Sequence, residues 1–225
     1  MAKTSQRADF ESFHRDLVDR MVRELTPVRR LWPPALRLAC WILLETGVLL
    51  VLIYHFHRSD IAQRLRDPWY LLGLASFAGA GTLAAWLVLR RAVPGEDART
   101  LEMLLLPALV MAGALLLLHD PADPHVPLAR FISSGLICVK WMSIYAVVPW
   151  IALLWAARRG APASRRTEGA LVGAAAFMFT FALMRIDCPS DDGLHLLTWH
   201  LLPALLAIAL SAGLGALVLR RRGRS

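Results

Sequence analysis

Cysteine and histidine are the residue types in this chain best equipped to do chemistry. Cysteines stand at positions 40, 138 and 188. A thiolate is both a nucleophile and a soft metal ligand, and a nearby cation favours it. Arg185 stands three residues before Cys188, on the same helical face if a helix continues that far, whereas Lys140 belongs to a different face from Cys138. Histidines recur at 55, 57, 119, 125, 195 and 200, interspersed with Asp60, Asp67, Asp120, Asp123, Asp187, Asp191 and Asp192. Thiolate, imidazole and carboxylate together make a donor set for a soft metal, with Cys138, Cys188, His195 and His200 as the candidate ligands. No pair has the tight spacing of a zinc motif and there is no CxxC. Oxidation of Cys138 and Cys188 therefore stands level with metal capture, and no cofactor is required by either. The bland alternative is two inert cysteines packed in apolar helices. Glu45 is a further oddity, an acid inside an apolar stretch, where an ionisable group is costly. No nucleophile triad, phosphate loop or pair of catalytic carboxylates is present, so the chain is not expected to be an enzyme.

The elements that must position these residues are membrane spans. Hydrophobic residues make up 57% of the chain, above the roughly 45–50% of an ordinary soluble domain. Six apolar stretches reach the length of about 20 residues that a bilayer demands: Leu36–His57, Trp69–Leu89, Leu101–Leu118, Leu136–Ala156, Gly169–Ile186 and Leu196–Leu219. The expected fold is all-α, a polytopic membrane bundle of six transmembrane helices with a cytosolic amphipathic helix before it. Trp41, Tyr54, Trp69, Tyr70, Trp86, Trp141, Trp155 and Trp199 fall near span ends, as an interfacial aromatic belt would. Small residues run through spans two and five, which predicts that these two pack centrally.

Charge sets the orientation. Of the 25 Lys and Arg, 19 fall in the N-terminal segment, the second and fourth loops and the C-terminus. The positive-inside rule then places both termini in the cytoplasm. The net charge of +8 reflects this bias and anionic lipid, rather than direct nucleic-acid binding. The first 35 residues are polar and lack the pattern of a cleavable signal. On this topology Cys138 and Cys188 both lie on the outer face, away from the reducing cytosol. Cys40 falls near the inner end of span one, most of a membrane thickness away. A disulfide needs Cα atoms within about 7 Å, so Cys40 is read as a small apolar packing residue.

Ahead of the spans, Phe10, Phe13, Leu17, Met21, Leu25 and Val28 recur at steps of three or four, opposite Glu11, Arg15, Asp16, Asp19, Arg20, Arg23 and Glu24. This predicts an amphipathic helix over Asp9–Val28, stopped at Thr26-Pro27. Its stripe can lie on the inner leaflet, although its polar face is mixed in sign, unlike most helices on anionic lipid; a groove on a protein partner is the sharper reading, and the two are compatible if membrane and partner compete for the stripe. Pro33 and Pro34 then make a stiff elbow. The chain divides into a cytosolic segment, 1–35, a six-helix sensor, 36–219, and a basic tail, 220–225.

The run Pro27-Val28-Arg29-Arg30-Leu31-Trp32-Pro33-Pro34, following an amphipathic helix and leading into six spans, resembles the N-terminal signature of the NrsF-like anti-sigma factors. Arg158-Arg159-Gly160-Ala161-Pro162 resembles the family's basic turn between spans four and five. Cys188-Pro189-Ser190-Asp191-Asp192, with Thr198-Trp199-His200 beyond it, is similar to the segment between spans five and six, and Cys138 matches the other family cysteine. The likeness covers essentially the whole chain, and Cys40 departs from a two-cysteine pattern. It implies an anti-sigma factor that holds an extracytoplasmic-function (ECF) sigma factor through its cytosolic segment, at Phe10, Phe13, Leu17, Met21, Leu25, Pro27, Arg29 and Arg30. It also implies release of that factor when Cys138 and Cys188 sense oxidative or heavy-metal stress. The rivals are a membrane thiol oxidoreductase and a small six-span transporter.

Overall fold

The computed structural model describes residues 2–23, 32–55, 58–93, 100–119, 126–160 and 164–219, with side chains described from residue 13 onward except at position 55. These residues fall into two units, 1–32 and 33–225, each treated by itself.

The first unit is helix α1, Ala2–Arg23. It begins earlier than the apolar stripe requires. Phe13, Leu17 and Met21, spaced by one helical turn, are exposed at 64%, 43% and 63%, and Val18 and Val22 beside them are exposed too. Phe10 lies in the helix, while Leu25, Pro27, Arg29 and Arg30 fall outside the described residues.

The second unit is a helix bundle, and no strand occurs among the described residues. Its long helices are α2 (Pro34–His55), α4 (Pro68–Arg91), α5 (Thr100–Leu117), α6 (Leu128–Arg158), α7 (Arg165–Asp187) and α9 (Leu202–Val218). One-turn helices α3 (Ile61–Arg64) and α8 (Gly193–Leu196) lie in or at the edge of connections. Helix α8 runs through a π-turn, Leu197–Leu201, into α9, so that Gly193–Val218 is one span. Among the described residues, six helices are therefore long and apolar enough to cross a bilayer. Each matches an expected span within a few residues, apart from the start of α6.

That helix begins eight positions before the expected Leu136 and runs for 31 residues, about 46 Å at 1.5 Å per residue. The added turns include two polar residues, Ser133 and Ser134. In the fold their hydroxyls return to the Arg130 carbonyl at 3.2 and 2.8 Å, so they need no water and do not interrupt the helix.

Burial ranks the spans. In α7, 78% of the apolar window is buried, in α4 44%, and in α5 only 11%. Spans two and five are thus the central ones, as their small residues predicted. The reason is backbone approach: a Cβ on Gly169 of α7 would stand 2.8 Å from the Gly215 Cα of α9, too close for any real side chain. Ser211 of α9 donates to the Gly169 carbonyl at 2.6 Å and accepts from Trp150 Nε1 at 2.8 Å. One serine thereby ties three helices at membrane depth.

Two of the aromatics expected in an interfacial belt serve the core instead. Trp41 is 4% exposed, meets Phe179 edge-on and donates to the Pro149 carbonyl at 3.3 Å. Tyr70 is buried and donates to the Arg185 carbonyl at 2.6 Å. Each hydrogen-bonds through its polar tip, which lets an amphipathic ring be buried without loss. Tyr54, Trp69 and Trp155 remain exposed.

Candidate functional site: a buried cysteine–histidine cluster

Local sequence rules bring Cys188 to the site. Pro189 disfavours helical geometry in the residue before it, and Cys188 leaves α7 with φ −65° and ψ 123° while its N–H still donates to the Met184 carbonyl at 2.7 Å. Asp192 then caps α8 by accepting from Leu194 N at 2.9 Å. The chain has turned back within five residues, and His195 follows on α8. Pro203 has no N–H to give the Trp199 carbonyl, and the π-turn that carries His200 lies immediately before it. Cys138 comes from within α6, about two to three turns from its start.

These four side chains converge. Cys138 Sγ and Cys188 Sγ are 3.8 Å apart. His195 Nε2 lies 3.6 Å from Cys138 Sγ and 3.8 Å from Cys188 Sγ. His200 completes a set in which one ligand atom from each residue lies within 4.8 Å of the others, and all four residues are buried. Phe131 presents an edge to the His195 ring, with centroids 5.9 Å apart, and also contacts Trp199 at 5.8 Å. Phe181 packs against the His200 ring at 5.5 Å. The hydrogen bond with Cys138 pulls the Cys188 thiol below its ordinary pKa against the opposing effect of burial, and the His195 contact pulls the same way. Such a cluster can do two things: lose two electrons to form a disulfide, or hold a soft or borderline cation.

An ion-pair knot anchors the Cys188 turn. Arg58, just beyond α2, is buried and donates to the Cys188 carbonyl at 3.0 Å. It also pairs with Asp191 at 2.6 Å and Asp60 at 2.7 Å. Arg64 reaches Asp191 at 2.7 Å, and Arg185 stands 3.9 Å from it. Burial alone would lower the Arg58 pKa, but its bonds to Asp60 and Asp191 more than offset that and raise it. The same bond, foremost, holds the Asp60 carboxyl down to about 2.

Arg185 also lies 4.7 Å over the Tyr70 ring, so it braces the knot. The cation bonded to Cys188 is Arg58, through the backbone, which no sequence spacing announced because 130 residues separate them. Lys140 lies over the Trp141 ring at 5.4 Å. Cys40 is a free, exposed thiol. Glu45 is fully buried, and neither carboxylate oxygen has a hydrogen-bond partner among the described residues. His119 packs on Trp69 at 5.2 Å, away from any cluster found among the described residues.

Fold and site together define an α-helical polytopic membrane protein with a buried thiol–imidazole centre built from its last three spans. The chain matches the family model described as negative regulator of sigma F, NrsF, over residues 21–221, and it belongs to that family. It is therefore an anti-sigma regulator, and its partner is a sigma factor. No curated protein and no solved structure matches it significantly.

Proposed function

We propose that this protein holds an ECF sigma factor at the bacterial inner membrane and releases it when Cys138 and Cys188 react with an oxidant or a heavy metal at the periplasmic side. The carrying observation is the 3.8 Å approach of the two sulfurs in a chain of this family. Orientation rests on charge: the connections with Arg90, Arg91, Arg158 and Arg159 face the cytoplasm, and the turn with Cys188 faces the periplasm. The sigma factor docks on the apolar stripe of the N-terminal segment, Phe10, Phe13, Leu17, Met21 and Leu25, with Pro27, Arg29 and Arg30 at its end. Exposure of Phe13, Leu17 and Met21 supports this. The activity is regulatory rather than catalytic.

With Cys138 and Cys188 reduced, the bundle favours the sigma-holding state. A peroxide-class oxidant takes two electrons from the two thiols, an S–S bond forms, and the peroxide leaves as two waters with the two thiol protons. The sulfurs must then close from 3.8 Å to about 2.05 Å, which pulls α6 toward the end of α7. Capture of a soft metal by Cys138 and Cys188, with His195 and His200, is the alternative trigger. Inverting a 1:99 balance takes about 5.5 kcal/mol, which a covalent bond or metal–thiolate bonds can supply.

The test is a sigma-dependent reporter in cells carrying Cys138→Ser, Cys188→Ser or both. All three variants should lose the stress response. An unchanged response would reduce the cysteines to packing residues. Retention of an ECF sigma factor by the full-length protein, and loss of it when residues 1–30 are deleted, tests the docking segment and excludes a transporter, which would not need it.

A further inference from the structure

We infer that Cys138, Cys188, His195 and His200 form a closed tetrahedral site for a resident divalent cation of the zinc class, loaded in the sigma-holding state. The inference rests on reading the cysteine pair as the sensor and names what that sensor holds at rest.

Edge lengths carry the argument. Zinc–sulfur and zinc–nitrogen bonds of about 2.3 and 2.05 Å at a tetrahedral angle put two sulfurs about 3.8 Å apart, and a sulfur and a nitrogen about 3.6 Å apart. The observed separations are 3.8 Å between the sulfurs, and 3.6 and 3.8 Å from them to His195 Nε2. A linear two-coordinate ion with the same bond length would hold the sulfurs about 4.6 Å apart, and a disulfide would hold them at about 2.05 Å. Three ligand atoms thus already stand near the corners of a tetrahedron.

His200 supplies the fourth corner, and it gives an independent sign of a missing partner. It is fully buried, and neither ring nitrogen has a hydrogen-bond partner among the described residues, although buried polar groups are ordinarily satisfied. Its longer distances, within the 4.8 Å limit of the set, are closed by a small movement of the π-turn. That turn has a reason here. Residues five apart in a regular α-helix point about 140° away from each other, whereas a π-turn, bonded i to i+5, brings them toward one side. His195 and His200 are five apart across it.

Charge agrees. Two thiolates and a divalent cation sum to zero, so this loading leaves no net charge in a buried cluster walled by Phe131, Phe181 and Trp199. All four positions are protein ligands and all are buried, which is the pattern of a structural site rather than an open catalytic one.

The experiment uses the full-length protein, purified in mild detergent under reducing conditions. Mass spectrometry of its metals should find one zinc per chain. After removal of zinc with a chelator, Co2+ should bind with the visible d–d bands of a tetrahedral site and a thiolate-to-cobalt charge-transfer band. Cys138→Ser, Cys188→Ser and His200→Asn should each weaken binding by more than the roughly 10- to 100-fold that loss of an outer hydrogen bond costs. His200→Cys preserves four ligands, so it should keep the ion and intensify the charge-transfer band, even if His200→Asn fails to fold. Folded wild-type protein with neither zinc nor a tetrahedral cobalt spectrum overturns the inference, as does unchanged binding in the variants. Sigma-factor retention is measured on the same preparations. Ion-free protein that still retains the sigma factor sinks the ion and spares the anti-sigma reading. Loaded protein that retains none does the reverse.

Discussion

At the scale of single residues, Arg58 does more for the site than its position in a short loop suggests. It is 5% exposed and makes its bonds to two acids and to the Cys188 carbonyl at once. Removing one member of a buried ion pair strands the other, which typically costs about 3–5 kcal/mol. Arg64 still reaches Asp191 at 2.7 Å and Asp60 is partly exposed, so Arg58→Met should lower thermal stability in detergent by less than that, and Arg58→Lys should recover only part, because one ammonium cannot address Asp60, Asp191 and a carbonyl in a plane. Asp60 gives the pH dependence. Its folded pKa of about 2 lies below its ordinary value of 3.8, so the unfolded chain takes up the proton first. Its contribution is complete above the ordinary carboxylate range and is lost as pH falls from about 4 toward 2. A melting series across that window should show the wild type losing stability, and Asp60→Asn, already lacking the contribution, losing less. Asp60 is partly exposed, so solvent screening keeps the difference small.

At the scale of elements, the last span is a broken helix with a purpose, and α7 is the post around which it packs. Deleting Thr198 should convert the π-turn to regular helix and leave His195 and His200 four apart, about 40° from each other around the axis. Cys138 and Cys188, on other elements, should stay in reach of each other. Oxidative cross-linking of the pair in membranes should persist in this variant, and its failure would mean that the π-turn holds the cysteines as well. The α7–α9 contact admits no side chain at Gly169 or Gly215. Gly215→Leu should cost upward of about 1–3 kcal/mol through overpacking, read as a lowered unfolding midpoint in detergent. Gly135 plays the same part at the cluster, where the Trp199 indole occupies the space a Cβ would need. Gly135→Ala should displace Trp199 and leave the cysteine pair more open to a thiol-modifying reagent, measured as a faster labelling rate.

At the scale of the whole molecule, two units share one chain, and the proposed function gives them different tasks. Helix α1 carries an apolar stripe that its own unit leaves exposed, and the bundle carries the cysteine–histidine cluster. Deleting residues 1–30 should leave insertion, detergent-solubilised stability and Cys138–Cys188 cross-linking intact while abolishing sigma-factor retention. Loss of folding in that variant would contradict the division of labour. The knot at Arg58 also ties the Cys188 turn to the segment directly after α2, and α2 is the span that follows the N-terminal unit.

Span number and the centrality of spans two and five were legible in the sequence because they depend on local quantities: apolar run length and small-residue content. The choice of Cys138, Cys188, His195 and His200 was legible as chemistry, since donor type is a property of each residue. Their contact was not. It depends on where Pro189 ends α7, on how far α6 extends past Ser133 and Ser134, and on one π-turn before Pro203, and only packing adds these small displacements into a 3.8 Å approach. The roles of Arg58 and Trp41 were hidden for the same reason. Run length and donor type can be counted along the chain, but the partner that satisfies a buried charge or indole is set by which helices lie side by side.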